Sequence, residues 1–453
     1  MSRLIFNAFV MNTPSHLSTG MWRIPGDTSH RHDSLSHWTE LAALLERGRF
    51  DALFMADTYG LSDVYGGSAD AALRGAVQVP LHDPLLVVSA MANATRNLCF
   101  GVTCSTSYEA PFALARRFST LDHLTQGRIG WNIVTSASDS AARNFGLEQQ
   151  RDHASRYERA EEFLDVCYKL WEGSWEDGAL LHDTERGVYV DPARVHRIGH
   201  RGAHFSVDGP HLVEPSPQRT PLLYQAGASA QGRAFASRHA ECVFVGAPSK
   251  QALKRTVDKL RSAFSDAGRD PLSVPIIAEH TVITAPDSAR AHEKHDAYKR
   301  VASEEGALVL MSGWTGIDLS QLEPDAPFEH RESHAIQSAV EAMSAADPGR
   351  VWSIAEIARW GTIGGLSPVT VGGPGEVADA LQEWVADTGI DGFNLSYAAM
   401  DESFRDFVEL IVPELQARGV YQREYAAGTF REKLFAGGAR LSAPHPATAY
   451  RLS

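Results

Sequence analysis

Hydrophobic positions along the chain alternate between two periodicities, and their order predicts the architecture. An apolar run from Leu4 to Val10 reads as a strand and is followed by a loop and LSHWTELAALLERGRF, where Leu35, Trp38, Leu41, Leu44 and Leu45 recur at helical spacing on one face. Gly48 predicts the end of that helix, and DALFMAD predicts a short buried strand closed by Asp57. The alternation then repeats. DPLLVVSAMANAT, with Asp83 as cap and Pro84 in the first turn, predicts a helix leading into strand LCFGVT. PFALARRFSTLDHLT is a helix that Gly127 separates from strand RIGWNIVT, and a long helix from about Ser155 to Trp171, then an irregular stretch, precede strand LLYQAG. SAQGRAFASRHA leads to ECVFVG, QALKRTVDKLRSAFSDAG to VPIIAEHTVI and PGEVADALQEWVADTG to DGFNLSY, and ESFRDFVELIVPELQARG ends the series.

Eight strands, almost all followed by a helix and without a run of tight hairpins, predict a parallel sheet covered on both faces. Eight such units close a (β/α)8 TIM barrel in about 250 residues. The chain has 453, so a single TIM-barrel domain over 1–453 is expected to carry insertions at about 59–82, 173–219 and 304–348 and a tail over 419–453. An open doubly wound sheet would want GxGxxG directly after a strand; GTIGGLSP at 361–368 has neither the spacing nor the strand.

Composition narrows the partners. With 43% hydrophobic and 22% charged residues the chain can bury a sizeable core. A net charge of −14 disfavours a protein that tracks a nucleic-acid backbone, while leaving room for a small anion held by backbone amides. Cys99, Cys104, Cys167 and Cys242 form no CxxC pair and sit among apolar neighbours, which predicts buried free thiols in a reducing compartment. The N-terminal segment lacks the pattern of a signal peptide, and no apolar stretch approaches the roughly 20 residues of a membrane helix. A cytoplasmic protein with no membrane contact is the expectation.

Barrel enzymes carry their chemistry at the C-terminal ends of the strands. Polar residues that terminate apolar strands are therefore the first candidates: Asn7 and Asn12–His16, Asp57, Thr103 with Ser105 and Ser107, Asn132 and Ser136, Gln225 to Ser229, and Asn394 with Ser396. AGASAQGR reads either as a plain strand-to-helix turn or as a cradle whose amides approach a phosphate. His153 and Tyr157, four residues apart, share a helix face and read either as a solvated cap with a packed aromatic or as a clamp on a phosphate or ribityl chain. His196, His200 and His204 are interrupted by RIGHRG and lack an HExxH glutamate, so no metal is expected; nor is there a GxSxG elbow.

The segments NAFVMN, LLERGRFDALFMADTYG, VQVPLHDPL, ARRFSTLDHLTQGRIGWNIVTS, ARNFG, RYERAEEFLDVCYKLWEGSWED, VEPSPQRTPLLYQAG, and DGFNL with FVELIVPELQARG carry a resemblance that runs from about residue 4 to 435. By them the chain resembles the bacterial-luciferase-like flavin monooxygenase superfamily. The matching branch holds nitrilotriacetate, dibenzothiophene-sulfone and long-chain alkane monooxygenases and pristinamycin synthase, with WEGSWED, GPHLVEPSPQRTP and GTFREKLF most like the alkane-oxidising type.

The resemblance implies a two-component enzyme. A separate NAD(P)H:flavin reductase would supply reduced FMN, and one atom of O2 would enter a small organic substrate through a C4a-(hydro)peroxyflavin. It implies FMN contacts at Asp57, Thr103, Ser136, His153, Tyr157, Gly227, Ala228 and Ser229, with Ala137 beside them, and it gives the turn and the histidine–tyrosine pair a shared role. His16, after the first strand, is the candidate catalytic residue, and Thr13, Ser62 and Asn132 the candidate substrate-pocket residues. Where the alkane-oxidising type has a cysteine, a tyrosine and a histidine, this chain has Thr13, Ser62 and Ala137, which should widen the pocket and change its polarity. The expected substrate is accordingly alkane-like, or a C–N or C–S compound such as an aminopolycarboxylate or sulfone. The insertions would form a water-excluding lid with 304–348 as its moving part, and a homodimer or homotetramer is usual. A deazaflavin-dependent oxidoreductase of the same superfamily and a non-catalytic flavin-binding barrel are the alternatives.

Overall fold

A strand buried on both faces needs a nearly continuous apolar run, and the chain supplies one after another. The computed structural model describes residues 3–227, 229–326, 352–435 and 437–452. Within these, strands β1 (Ile5–Met11), β2 (Ala52–Ala56), β3 (Cys99–Ser105), β4 (Ile129–Val134), β5 (Leu222–Ala226), β6 (Cys242–Val245), β7 (Ile276–Thr284) and β8 (Gly392–Ser396) lie side by side in the order β6-β5-β4-β3-β2-β1-β8-β7. All pairings are parallel, and β7 pairs back with β6, with Val243 opposite Ile276, so the sheet closes. Helices α1 (Leu35–Arg47), α2 (Leu85–Ala94), α3 (Pro111–Leu124), α4 (His153–Gly173), α5 (Ala230–His239), α6 (Lys250–Asp266) and α7 (Pro374–Thr388) connect the strands, and a last helical stretch, 402–417, passes through a π turn at Phe407–Ile411 just ahead of Pro413. This is the expected (β/α)8 TIM barrel.

The alternation of side chains along each strand divides the core in two. Outward residues such as Phe6, Phe100, Trp131, Ile276 and Phe393 pack under the helices. Inward residues Ile5, Ala52, Phe54, Cys99, Leu222, Tyr224, Cys242, Phe244 and Ile277 fill the barrel together with Phe430. Large rings fit there because glycine faces them. A Cβ at Gly101 would stand 3.0 Å from the Phe54 ring, and one at Gly130 would stand 3.1 Å from that of Tyr224.

Phe430 comes from the C-terminal tail and closes the N-terminal end of the barrel. Its neighbour Arg431 is buried and binds both carboxylate oxygens of Glu241, at 2.6 and 2.8 Å, and the carbonyls of Thr220 and Pro221. The 173–219 stretch, irregular in the sequence pattern, folds into two small antiparallel hairpins, Leu180–Asp183 with Val188–Val190 and His200–Arg201 with Ser206–Val207. A further short strand, Val369–Gly372, pairs with β7 outside the barrel. Among the described residues no helix is long and apolar enough to cross a membrane. Ala228 and residues 327–348 of the expected lid segment lie outside the described residues.

Candidate active site

Towards the C-terminal ends of the strands the inward residues turn polar: Asn7, Thr103, Asn132, Glu279, Thr281, Asn394 and Ser396. Asn132 Nδ2 donates to Thr103 Oγ1 at 2.9 Å, and Thr281 Oγ1 and Ser396 Oγ share a hydrogen bond of 2.6 Å. Above this layer opens a cavity of about 1110 Å³. Its volume lies just above the usual range for small-molecule and cofactor sites, roughly 300–1,000 Å³.

One flank of the cavity is backed by the N-terminus of α5. Ser229 caps the helix by accepting the Gly232 N–H at 3.0 Å, and His153 Nε2 lies 3.4 Å from Ser229 Oγ. Asp152 caps α4, which places His153 and Tyr157 one turn apart with ring centroids 5.1 Å from each other. Tyr157 hydrogen-bonds Ser229, Thr135 and Gln225; burial nonetheless holds its hydroxyl above the usual phenol range, so it remains a neutral donor. Burial, reinforced by the Arg156 charge, holds His153 below the usual histidine range. A Cβ at Gly232 would stand 3.0 Å from both Ser229 Oγ and the Tyr157 hydroxyl, so only glycine leaves this corner open. Arg151, Arg233, Arg255 and Lys259 also line the cavity and make this flank cationic. Helix N-terminus, hydroxyls, imidazole and cations together fit an FMN phosphate and ribityl chain.

Ser136 belongs to the same flank. Its backbone is left-handed at φ 45°, a conformation that costs a non-glycine residue about 1–2 kcal/mol. Arg156 donates to its carbonyl, Gln150 Nε2 donates to the same atom at 3.4 Å, and Ser105 Oγ lies 2.8 Å from Ser136 Oγ. The turn is therefore fixed by its neighbours, and it directs Ala137 into the cavity wall.

The opposite flank is apolar and roofed by the insertions. Helix Glu304–Thr315 lies against the 59–82 segment: Gly313 faces Ser62, Arg74 pairs with Glu305 at 3.0 Å, and the Gly66 N–H binds Asp318 Oδ1 at 2.9 Å. Leu61, Val64, Trp314, Ile317, Trp360 and Leu366 turn into the cavity from these pieces, opposite Phe9 and Phe244 of the barrel. Asp57, at the end of β2, is pushed up to about 7 by burial and by the nearby Asp83 and Glu109, against a hydrogen bond from the Thr58 N–H. His16 is buried and lowered to about 3 by desolvation alone, so its imidazole is neutral; its ring stands edge-on to Phe9 with centroids 4.6 Å apart.

The structure thus brings His16, Asp57, Ser62, Ala137 and Gly227 together in the wall of one cavity. Ser136, His153, Tyr157 and Ser229 form the layer behind its cationic flank, and Thr103 and Asn132 the layer beneath its floor. Thr13 is fully buried, outside the cavity wall. Ala228 lies outside the described residues. His196 and His200, weighed as metal ligands, instead reach Glu176 at 2.7 Å and Glu162 at 3.1 Å. Among the described residues no group of three or more His, Cys, Asp or Glu side chains is placed to hold a metal ion.

Sequence reading missed Glu279, the lid aromatics Trp314 and Trp360, and the cationic residues of α5 and α6. Glu279 had a signal: a carboxylate interrupts the buried strand IIAEHTVIT. Burial raises it to about 7, opposed only by a hydrogen bond from Ser367. His16 Nδ1 and Glu279 Oε1 are the buried polar side-chain atoms of the described cavity wall that have no protein partner. Such atoms in a native cavity fit a bound group that is not protein.

Comparison with known proteins agrees with this geometry. The luciferase-like monooxygenase family matches residues 15–392. The chain is 46% identical over 450 residues to dimethyl-sulfide monooxygenase from Hyphomicrobium sulfonivorans, covering 99% of this chain and 94% of that protein. It is 47% identical over 450 residues to long-chain alkane monooxygenase from Geobacillus thermodenitrificans, covering 99% and 98%. A crystal structure of riboflavin lyase with modified FMN and riboflavin superposes with a TM-score of 0.92 at 35% identity, covering 100% of both chains. This chain belongs to the luciferase-like monooxygenase family and is a flavin-dependent monooxygenase.

Proposed function

We propose that the enzyme uses reduced FMN, delivered by a separate NAD(P)H:flavin reductase, to place one atom of O2 in a small, uncharged, apolar-bodied molecule. The carrying observation is the pairing of a cationic flank, backed by the N-terminus of α5, with an apolar flank around one cavity. Ser229, Tyr157, His153 and the backbone amides at the start of α5 would hold the phosphate and ribityl chain, while Asp57 and Thr103 would approach the ring. When bound, reduced FMN supplies two electrons and activates O2; the protein's task is to orient the substrate and keep water away. The lid residues Leu61, Trp314, Ile317 and Trp360 do the second. His16, neutral and with Nδ1 unpartnered, is the hydrogen-bonding group above β1 that would position the reacting oxygen or the substrate.

The same wall separates the substrate classes. On the apolar flank the ionisable wall residues are carboxyls, Asp57, Asp63 and Glu279, so a polyanion such as an aminopolycarboxylate would lose its hydration there with no cation of that flank to replace it. A thioether or an alkane loses no polar hydration there. The relatives named for dimethyl sulfide and for long-chain alkanes support this class.

The test is turnover of the purified chain with NADH, FMN, O2 and dimethyl sulfide, short thioethers or alkanes, with and without a general flavin reductase. Oxygenated product is expected only with the reductase. Rapid NADH oxidation by the chain alone would overturn the two-component reading, and oxidation confined to aminopolycarboxylates would overturn the substrate class.

A further inference from the structure

We propose that Glu279 is a catalytic residue: a carboxylic acid in the cavity wall that hands its proton to the oxygen atom leaving as water. The inference rests on the reduced-FMN reading above and extends it to a proton path.

Monooxygenation balances as substrate + O2 + FMNH2 → oxygenated substrate + FMN + H2O. The two electrons of reduced FMN reduce one oxygen atom to water, the other atom oxidises the substrate by two electrons, and both hydrogens of reduced FMN leave in the water. Protons must therefore pass from flavin to oxygen inside a site from which bulk water is excluded, and a side chain that exchanges one proton meets that need. Glu279 would give a proton to the departing oxygen and recover one from the flavin, with no net change.

Geometry selects this residue. Glu279 lies on β7 in register with Asn394 of β8, on the inner face of the barrel, and lines the cavity beside Phe244, Gly246 and Leu366. Among the described residues its Oε1 has no partner, and Gly246 lies beside its Oε2, where a Cβ would stand at 3.5 Å. The other titratable groups lining the cavity are His16 after β1, Asp57 and Asp63 after β2, Asp139, Arg151 and Asp152 after β4, Arg233 on α5, and Arg255 and Lys259 on α6. None of these charges moves Glu279; burial alone raises it, to about 7, and Ser367 draws it back. The acid is thus poised near neutrality, where a group both holds and releases a proton. His16 cannot take the part, because burial holds its imidazole neutral down to a pH of about 3.

Glu279→Gln keeps the shape and a neutral donor and removes the exchangeable proton. In the ligand-free protein, infrared difference spectra across neutral pH should show a protonated carboxyl band that E279Q lacks. Ser367→Ala should move the midpoint of that band to higher pH. Anaerobic reduced-FMN affinity of E279Q should stay near the parent's. With reductase and substrate, E279Q should form product roughly 10²-fold more slowly, the consumed O2 appearing as hydrogen peroxide. An E279Q variant that couples like the parent, or a parent without a titrating band assignable to Glu279, would overturn the proposal. A parent that oxygenates nothing would overturn the functional reading, while the infrared band would still decide whether Glu279 holds the proton.

Discussion

Replacing Gly232 with alanine puts a single methyl group into the narrowest part of the proposed phosphate cradle. Gly232 is the third residue of α5, and the added Cβ would meet Ser229 Oγ at 3.0 Å, the Tyr157 hydroxyl at 3.0 Å and the Gly227 carbonyl carbon at 3.1 Å, each a few tenths of an ångström inside ordinary contact. One or both hydroxyls must swing away. For the fold the effects nearly cancel. Alanine is better than glycine in a helix by about 1 kcal/mol, and weakening the Ser229 cap costs about 1 kcal/mol, so unfolding free energy should change by less than about 1 kcal/mol. For the ligand they do not cancel. A hydrogen bond to a charged acceptor is worth about 1.5–3 kcal/mol, so misaligning two donors should cost about 3 kcal/mol, or roughly 100-fold in Kd. Anaerobic calorimetry with reduced FMN reads the affinity, urea unfolding reads the stability, and reduced riboflavin, which has no phosphate, is the control. G232A should lose FMN and bind riboflavin like the parent. Affinity for reduced FMN within about threefold of the parent's, or an equal loss for riboflavin, would place the phosphate elsewhere.

Two further outcomes follow from the same structure. Arg431→Met leaves Glu241 buried with little beyond the Leu223 N–H, at 3.0 Å, to satisfy it, so urea unfolding should show a loss of roughly 3–5 kcal/mol, with reduced-FMN affinity retained because the pair sits at the far end of the barrel. Asp57 is raised in the folded state, so its ionisation removes stability as pH climbs from the ordinary carboxyl value towards about 7; Asp57→Asn lacks that loss, and its stability advantage over the parent should grow across this window and level off above it. A constant difference between pH 4 and 8 would contradict the burial of Asp57.

What the sequence disclosed depended on whether a residue's neighbours in space were also its neighbours in the chain. A parallel strand covered on both faces has to be apolar throughout, so IFNAFVM and CFGVTCS stood out, and their alternation with amphipathic helices led to the barrel. His153 and Tyr157 were legible because helical spacing alone puts them on one face, and Asp57 because it follows an apolar strand directly. The lid left no such trace. Trp314 and Trp360 lie far apart in sequence and share a cavity wall only because the β7 insertion folds back over the mouth. The strand Val369–Gly372 was missed because four residues carry too little pattern. Glu279 is the instructive case. Its strand is apolar enough to be recognised, but the carboxylate within it was not singled out. Yet an inward-facing, half-buried carboxyl in the wall of a closed barrel's cavity is poorly hydrated, which favours pairing, protonation or contact with a ligand. Among the described residues no cation pairs with Glu279 and its Oε1 is unpartnered, which leaves a carboxyl raised to about 7 facing the cavity.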